Sequence, residues 1–457
     1  MSAGSSASPV REALIRHALE APVPATARAA AAIFLEDTLM VGLAGSAAPD
    51  RASLVKAAQQ WGQGGQARLW GDGQPATPAT AALVNAYQIH CQEFDCVHEP
   101  AVVHPMAVIG GALVSWAQAQ GGVSGRQLLD AICVAVDAAA LLGMMARTPM
   151  RFFRPAMCGA LGASLGLSRL AGFDIDRARS ALGLTYCQIS GNMQAHVEGT
   201  PGLALQIGVN ARAAMNAAEL ALAGMAGPID ALDGAFGYLE LIEGDYNTEP
   251  LNQLGQTWQI ERVSHKPFPS GRAAHATLDG LARLLARGMA AEDIIRVELY
   301  APALIRRLVD RPAHKDMSAS YARLCLPWLV SVLLSRGSIG LADCSEAALQ
   351  DPARWARIDC LRVHPDDNPD PNALIPQRLA VTTRDQSVHR IDLPEVLGSP
   401  QRALDEPARQ AKAQACWRHA GIDDERGTQL MSKLSSIAEH DDLSEIFQLL
   451  APPTAAD

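Results

Sequence analysis

The sequence at residues 90–98 reads His-Cys-Gln-Glu-Phe-Asp-Cys-Val-His, and His104-Pro105 follow shortly after it. The segment before this stretch predicts a helix, with Thr77 suited to cap it and Pro78 at its first position. A second apolar helix is predicted from His104-Pro105 to Gly121-Gly122. The polar stretch therefore joins two apolar helices, and a fold dominated by packed helices is expected around it.

The same stretch carries the groups for proton transfer. Three imidazoles fall within fifteen residues. A helix start offers free backbone N–H groups and a partial positive charge, which suit an anionic ligand. We predict His104 as a general acid or base, although it can also serve as a capping side chain. His98 and Asp95 are further catalytic candidates, whereas His90, on the helix, is more typical of a structural histidine.

Composition and charge narrow the class of protein. The chain has 457 residues, of which 49% are hydrophobic and 5% aromatic, and it is rich in alanine, which favours close-packed helices. The net charge of −10 argues against nucleic acid or an anionic membrane as the main partner, since both require a basic face.

Cysteine usage and the chain start indicate a cytoplasmic protein. Nine cysteines are scattered without a Cys-x-x-Cys pair, as expected for reduced thiols. No signal peptide is recognisable, and we expect the Ser/Ala-rich stretch Met1 to Pro9 to be disordered. The richest apolar run, 131–146, is interrupted by Asp137, so no membrane-spanning helix is expected.

The order of patterns predicts a mostly α fold with three segments. Helical spacing extends to about residue 260, and residues 1–264 are assigned to a large all-helical domain. Residues 265–399 are predicted as a smaller α+β lid domain inserted in the chain, and residues 400–457 as a helical return to the first domain. The predicted strands are 294–300, 358–363 and a hairpin of 378–383 with 388–393.

A basic segment marks the predicted boundary near residue 265. Lys266 and Arg272 flank two prolines, whose fixed φ angles stiffen the turn. The planar guanidinium suits bidentate binding of a carboxylate, and a lysine can bind a carboxylate or act as a base if its pKa is lowered. The alternative is an exposed basic pair in a linker. His275, one turn into the next helix, is a further binding candidate.

Three more residues are candidates for a binding pocket. Arg154 precedes a proline in an apolar connector, where it binds substrate or pairs with an internal carboxylate. His196 and Glu198 lie in an unusual polar stretch, residues 190–200, and are either pocket residues or solvated loop residues.

The stretch at residues 90–98 also contains residue types that bind metal ions. His90, Cys91, Cys96 and His98 are residue types that bind zinc, but their spacing matches no common finger. We therefore predict no metal site.

Several motifs, in this order, resemble the 2-methylcitrate dehydratase (MmgE/PrpD) family, whose relatives include cis-aconitate decarboxylase and iminodisuccinate epimerase. The matching segments are Asp37-Thr38, 41–45, 69–71, 83–85, 90–95, His98, His104-Pro105, 208–211 and 266–275. The resemblance implies a helical domain built from both chain ends, an inserted α+β lid, a cleft between them, a homodimer, and no metal or organic cofactor. Family substrates are small di- and tricarboxylates, from which a proton next to a carboxylate is removed or moved.

The chain departs from the family pattern at the site. The family usually carries a His at the position of Phe153, and a Lys-Pro-(Leu or Met)-His where residues 203–206 here read Leu-Ala-Leu-Gln. A Thr is expected at Val97 and an Asp at Glu93. Leu203 and Gln206 thus replace a lysine and a histidine. These changes suggest a site rebuilt for a different substrate, or a degraded site without catalysis.

Together these observations predict a lyase-type enzyme, most simply a dehydratase, acting on a small di- or tricarboxylate without a cofactor. Epimerisation, decarboxylation and non-catalytic binding of a carboxylate remain alternatives. The predicted catalytic residues are His104, Lys266, Asp95 and His98, and the predicted binding residues are Arg272, Arg154, His196, Glu198 and His275.

Overall fold

The structure is a computed structural model that describes residues 9–62 and 64–452. Residues 1–8 of the tail expected to be disordered lie outside the described residues, and Pro9 begins the first helix.

The helices occupy most of the described chain. They are α1 (Pro9–Glu20), α2 (Ala25–Gly45), α3 (Arg51–Trp61), α4 (Pro78–His90), α5 (Pro105–Gln120), α6 (Gly125–Met145), α7 (Arg154–Leu170), α8 (Ile175–Tyr186), α9 (Gln194–Glu198), α10 (Gly202–Leu222), α11 (His275–Ala286), α12 (Ala303–Val309), α13 (Ala319–Ala322), α14 (Leu326–Arg336), α15 (Glu346–Gln350), α16 (Pro352–Trp355), α17 (Glu406–His419), α18 (Asp424–Ser435) and α19 (Ser444–Leu450). The strands are β1 (Ala67–Arg68), β2 (Pro75–Ala76), β3 (Ile294–Ala301), β4 (Leu361–Pro365), β5 (Gln377–Thr383) and β6 (Val388–Leu393). The mostly α fold class is confirmed.

Local capping accounts for the helix starts near the site. The Thr77 hydroxyl accepts a hydrogen bond from the backbone N–H of Thr80 at 3.2 Å, and Pro78 lies in the first turn of α4. At the start of α6, Ser124 and Gln127 form a capping box. These helix starts confirm the sequence prediction.

The helical core contains α4, α5, α6, α7 and α10, which pack against one another. Small residues let the helix backbones approach closely, as Gly45 at the end of α2 shows. A Cβ at Gly45 would lie 1.9 Å from the carbonyl oxygen of Gln88 in α4, so only glycine fits there. In the first part of the chain, however, the long helices end at α10. Residues 223–264 form turns and short 3₁₀ and π segments, so the helical pattern does not continue to residue 260 as predicted.

α13 and α14 are separate helices, because the chain bends at 323–325 and Pro327 starts the second one. Two predicted elements differ from the observed ones. The connector expected over 151–155 ends earlier, since α7 begins at Arg154. The strand expected from residue 358 begins at Leu361.

A four-stranded sheet lies in the second half of the chain, in the order β4-β3-β5-β6. β3 is parallel to β4 and antiparallel to β5, and β5 and β6 form the predicted hairpin. α11 packs against β5, β6 and α14, which gives this region its own hydrophobic core around Val297, Trp328 and Val381.

The carboxy-terminal helices pack against the amino-terminal ones. α17 contacts α2, where the Lys412 Nζ lies 2.7 Å from the Asp37 Oδ1. The same ammonium group donates a hydrogen bond to the backbone oxygen of Phe94 at 2.9 Å. Helix α17 therefore contacts the polar stretch at residues 90–98 and stabilises it.

α6 is long and apolar enough, by length and composition, to cross a membrane, which the sequence pattern did not predict. Its most apolar window is 89% buried within the protein. Asp137, in the middle of the helix, accepts hydrogen bonds from the backbone of Gln259 at 2.7 Å and pairs with His17 at 2.8 Å. These contacts are typical of a core helix.

Candidate active site

The polar stretch at 90–98 and the basic segment near residue 265 meet in the folded chain. Val97 and Ser264 form an antiparallel bridge, with N–H to O distances of 3.0 and 2.7 Å. Next to it, the Lys266 Nζ lies 3.0 Å from the Glu93 Oε2. These two segments, which are far apart in the sequence, therefore contact each other directly.

Glu93 takes an unusual backbone conformation to reach this lysine. Its φ of 51° lies in the left-handed region, which is uncommon for residues other than glycine. Such strain persists only where the surrounding structure compensates for it, and it clusters at functional sites. Here the turn lets both the side chain and the backbone oxygen of Glu93 accept hydrogen bonds from Lys266, at 3.0 and 3.2 Å.

Lys266 is fully buried and acts as a counter-ion within the protein. Its Nζ lies between Glu93 and the Asp95 Oδ1, which is 3.7 Å away. The ammonium group therefore neutralises two buried carboxylates, which otherwise carry a large desolvation penalty. Lys266 does not line the cavity described below, so its predicted direct role on the substrate has no support from its position.

The carboxylate of Asp95 lies within hydrogen-bond distance of two imidazoles. Its Oδ2 lies 3.1 Å from the His90 Nδ1 and 3.0 Å from the His104 Nδ1. The His104 Nε2 has no hydrogen-bond partner among the described residues, and the His90 Nε2 lies 3.5 Å from the Glu93 Oε1. A carboxylate that accepts from Nδ1 fixes the tautomer, so the His104 Nε2 is left as the available basic atom.

The surroundings shift the pKa values of His104 and His90 in opposite directions. Burial lowers the pKa of His104 and nearby Lys266 adds to this effect, so its neutral form is favoured despite Asp95. Burial also opposes a charge on His90, but the carboxylates of Asp95 and Glu93 outweigh it and raise its pKa. The site thus combines an imidazole that favours its neutral form with a second imidazole, on the same carboxylate, whose protonated form is favoured.

Both carboxylates remain ionised. Burial disfavours the charge of Glu93, but the Lys266 ammonium and the two imidazoles outweigh it and lower its pKa to about 2. The same groups, with the imidazoles first, hold the pKa of Asp95 well below its usual range against the effect of burial. With Glu93 and Asp95 charged, the Lys266 ammonium offsets part of the negative charge, and the two carboxylates favour a second positive charge on His90.

A small cavity of about 60 Å³ opens beside these groups. Its polar lining comes from His90, Glu93, His104, His196 and Arg272. The remaining lining is mostly apolar and comes from both parts of the chain: Val97, Val102, Met150, Phe153, Pro155, Met193, Leu203, Gly271, Ala273, Leu308, Val309, Leu324 and Leu374. A larger surface groove of about 1170 Å³ lies between α2 and the carboxy-terminal helices, but it contains none of the predicted site residues. The chemistry therefore favours the smaller cavity.

Arg272 reaches the cavity wall, but protein groups already occupy its guanidinium. Its Nε and Nη2 donate to the Glu99 Oε1 at 3.0 and 2.7 Å. Its Nη1 donates to the backbone oxygen of Leu397 at 2.8 Å and lies 3.4 Å from the His275 Nδ1. His275 itself is buried behind Arg272 and does not line the cavity. A substrate carboxylate would have to compete with Glu99 for Arg272.

Three other predicted residues are not brought to the cavity. Arg154 forms a buried, two-point ion pair with Glu243, with both N–O distances at 3.1 Å. Glu198 is exposed and accepts a hydrogen bond from Gln194 one turn earlier. The His98 Nε2 lies 3.1 Å from the Gln259 Oε1, and burial lowers the His98 pKa to about 4.

His196 does reach the cavity, and it brings an arginine that the sequence interpretation missed. The Arg311 Nη2 donates to the His196 Nδ1 at 3.2 Å. Burial first, and then Arg311, lower the His196 pKa to about 4, so the imidazole is neutral. Arg311 precedes a proline in an irregular segment far along the chain, and no local motif marked it.

Comparison with known proteins identifies the family. Residues 15–251 match the model of the MmgE/PrpD N-terminal domain, and residues 268–436 match that of the MmgE/PrpD C-terminal domain. The chain belongs to the MmgE/PrpD family. It is also 24% identical over 458 residues to the cis-aconitate decarboxylase-like protein oryM of Aspergillus oryzae (strain ATCC 42149 / RIB 40), with 94% of each chain covered.

The positions where this chain departs from the MmgE/PrpD pattern lie on the cavity wall. Phe153, Leu203 and Val97 all line it, at places where the resemblance predicts polar side chains. Glu93, which stands where an aspartate was expected, binds Lys266. Gln206 is the exception, because it lies outside the cavity and its Oε1 accepts a hydrogen bond from the backbone N–H of Asn192 at 2.6 Å. The substitutions at positions 93, 97, 153 and 203 therefore change the cavity itself.

Three of the site residues have donor atoms close enough to consider a metal ion. His90, Asp95 and His104 place ligand atoms within 4.8 Å of one another. In this structure those atoms hydrogen-bond each other, and the ammonium group of Lys266, 3.7 Å from Asp95, would repel a cation. The set therefore fits a proton-transfer site better than a metal site, and it differs from the cysteine-containing set considered from the sequence.

Proposed function

We propose that this protein is a lyase-type enzyme that removes the proton next to the carboxylate of a small organic acid. The observation that carries the proposal is the His104–Asp95 pair, with 3.0 Å between Nδ1 and Oδ2, at the wall of a cavity between two parts of the chain. Membership of the MmgE/PrpD family and the name of the decarboxylase-like relative support an enzymatic role of this kind.

In this proposal His104 is the base. Its neutral Nε2 takes the proton from the carbon, and Asp95 stabilises the imidazolium that forms. Because His104 and Asp95 are largely shielded from water, the Asp95 charge acts on His104 strongly. His90, which favours its protonated form, lines the same cavity and is the candidate proton donor.

We favour a dehydratase reaction. The C–H bond next to the carboxylate breaks as His104 binds the proton, a C=C bond forms, and the hydroxyl on the neighbouring carbon leaves as water with a proton from His90. The acid thus loses one water and no electrons are exchanged. Epimerisation uses the same base and returns a proton to the other face of the carbon. Decarboxylation breaks the bond to the carboxylate, releases CO₂ and needs an acid, such as His90, to protonate the carbon that is left. Both remain alternatives.

We also propose that residues 265–399 act as a lid over the helical segments 1–264 and 400–457. The support is that the cavity wall combines residues such as Val309 and Leu374 with His90 and Phe153. A homodimer in the cytoplasm that needs no cofactor is the matching expectation from the family resemblance. Light scattering and metal analysis of the purified protein test the dimer and the metal expectation.

The decisive experiment follows the proton. The protein is incubated in D₂O with 2- and 3-hydroxy acids, with their unsaturated products, and with methylcitrate, citrate and cis-aconitate, and NMR monitors deuterium uptake and new products. Deuterium incorporation or product that disappears in His104→Gln but persists in the exposed control His389→Gln supports the proposal. Absence of both with every acid would refute it.

A second candidate function, binding of a carboxylate without turnover, is favoured by the apolar replacements Phe153 and Leu203. Calorimetry distinguishes the two. Tight binding of an acid without deuterium uptake, with His104→Gln affecting only affinity, supports the binding protein over the enzyme.

A further inference from the structure

Two linkers join residues 265–399 to the helical segments, and these linkers lie side by side. The backbone N–H of His265 donates to the carbonyl oxygen of Gly398 at 2.9 Å. Gly398 has a φ of 91°, and a Cβ there would lie 2.3 Å from the carbonyl oxygen of His265, so only glycine permits this approach. Because the chain enters and leaves the segment at one place, the paired linkers form a natural hinge for the proposed lid.

Arg272 binds both linkers with one nitrogen atom. Its Nη1 donates to the carbonyl oxygen of His265 at 3.2 Å, on the entering linker. The same nitrogen donates to the carbonyl oxygen of Leu397 at 2.8 Å, on the returning linker. Arg272 is buried, so these hydrogen bonds are protected from competition with bulk water. The guanidinium therefore holds the two linkers together.

The same guanidinium also binds the helical part of the chain. Its Nε and Nη2 donate to the Glu99 Oε1 at 3.0 and 2.7 Å. The Ser264 hydroxyl donates to the same oxygen at 2.8 Å, and the backbone of Ser264 is bridged to that of Val97. Hydrogen bonds between two charged groups are stronger than neutral ones. Since Glu99 directly follows the polar stretch at residues 90–98, Arg272 connects both linkers to the part of the chain that holds the proposed catalytic groups.

Arg272 is, in addition, part of the cavity wall. Residues 271–273 line the cavity together with Val309 and Leu374 of the same segment and with His104 of the helical part. A rotation of the segment about its linkers would therefore change the separation between these side chains and His104. The contacts of Arg272 thus join the hinge to the shape of the cavity.

We infer that Arg272 is a positioning residue that fixes the orientation of residues 265–399 over the cavity, because it binds both linkers and Glu99 at once. The inference rests on the lid arrangement proposed above. It differs from the predicted role of Arg272 in binding substrate. The buried pair of Arg154 and Glu243 has no such position, since both of its members belong to the helical part.

Distance measurements between two spin labels on the full chain, by pulsed electron paramagnetic resonance, test the inference. The labels are attached to Lys56→Cys in α3 and Arg390→Cys in β6, both at exposed positions. The background carries Cys187→Ser, which removes an exposed cysteine, and peptide mass spectrometry verifies the labelled positions. Dilution with unlabelled protein restricts the measurement to label pairs within one chain. We expect one narrow distance with Arg272 present, and a distribution broadened or shifted by several ångström in Arg272→Met.

Three further variants define the cause of such a change. Glu99→Gln removes the charge that holds the guanidinium and should also broaden the distribution. Arg272→Lys keeps the positive charge but cannot reach Glu99 and both linkers together, so a smaller change is expected. Arg287→Met removes an exposed arginine from the same segment and should leave the distribution unchanged. Thermal unfolding verifies that each variant is folded, and Glu99→Gln decides the test if Arg272→Met does not fold.

Loss of stability in Arg272→Met and Glu99→Gln with an unchanged distance distribution would overturn the inference. Gly398→Ala, which forces the linkers apart, then shows what has failed. If this variant alone broadens the distribution, the lid moves but Arg272 does not position it. If none of the three variants does so, the lid arrangement fails with the inference. The D₂O experiment is independent, because altered distances without deuterium uptake from any acid support the positioning role and refute the enzyme.

Discussion

The Nδ1 of His104 lies 3.0 Å from the Oδ2 of Asp95, an oxygen that also lies 3.1 Å from the Nδ1 of His90. One carboxylate therefore orients two imidazoles of different protonation tendency. When the surroundings shift the pKa values of two groups in opposite directions, the group with the lowered pKa is the candidate base and the other is the candidate acid.

Replacing His104 with glutamine should remove the base and retain most of the packing. We expect kcat/KM for the reactive acid to fall by about 10²- to 10⁴-fold, the range typical of a lost general base. The melting temperature should change little, because the site loses one hydrogen bond to Asp95. Steady-state kinetics and thermal unfolding, with His389→Gln as control, measure the two effects. A variant with full activity would exclude His104 as the base.

Asp95→Asn should impair both activity and stability. The neutral amide leaves the charges of Lys266 and His90 with Glu93 as their one remaining counter-ion, and a buried charge left without its partner costs about 3–5 kcal/mol. Denaturant unfolding measures the stability loss, and Asp441→Asn on the surface is the matched control. Equal loss in both variants would contradict the role of Asp95 as the shared counter-ion.

The pH dependence of activity should reflect a histidine that resists protonation. Because burial lowers the pKa of His104, the base stays neutral at pH values where an exposed histidine is already partly charged. We expect kcat/KM to be constant at neutral pH and to decrease on acidification with an apparent pKa below 6.5. A profile of kcat/KM from pH 4 to 9 measures this. Loss of activity that sets in above pH 6.5 on acidification would contradict it.

Arg154→Met should affect stability alone. Arg154 is paired with Glu243 in the interior, so the variant leaves a buried carboxylate without its partner and should lose about 3–5 kcal/mol. The kcat/KM of the folded fraction should match that of the wild-type protein. The double variant Arg154→Met with Glu243→Met should regain part of the stability, and Arg287→Met serves as the surface control. A selective increase in KM would restore Arg154 to the binding site.

The sequence predicted the parts of the site that depend on local signals. The helix start at His104-Pro105 and the Lys266 segment were recognisable from capping residues, prolines and the order of family motifs. The fold class followed from alanine-rich helical spacing and from the later strand patterns.

The arginine roles were not predictable in the same way. Arg154 and Arg311 each belong to an irregular or apolar segment next to a proline, and nothing nearby in sequence indicates their partners. Glu243, which pairs with Arg154, lies 89 residues away, and His196 lies 115 residues from Arg311. Such pairings are decided by tertiary packing, so the sequence alone gave Arg154 two open alternatives and gave Arg311 none.

The contact of Lys412 with Asp37 and with the backbone of Phe94 has a consequence for biosynthesis. Lys412 is synthesised more than 300 residues after the polar stretch at residues 90–98, so this stretch gains its contact with the ammonium group only after Lys412 has been made. A nascent or truncated polypeptide ending before residue 400 would expose Asp37 and lose this brace, even with every proposed catalytic side chain already made. The region matched by the amino-terminal family model thus depends on a carboxy-terminal residue for one of the contacts that hold its polar stretch.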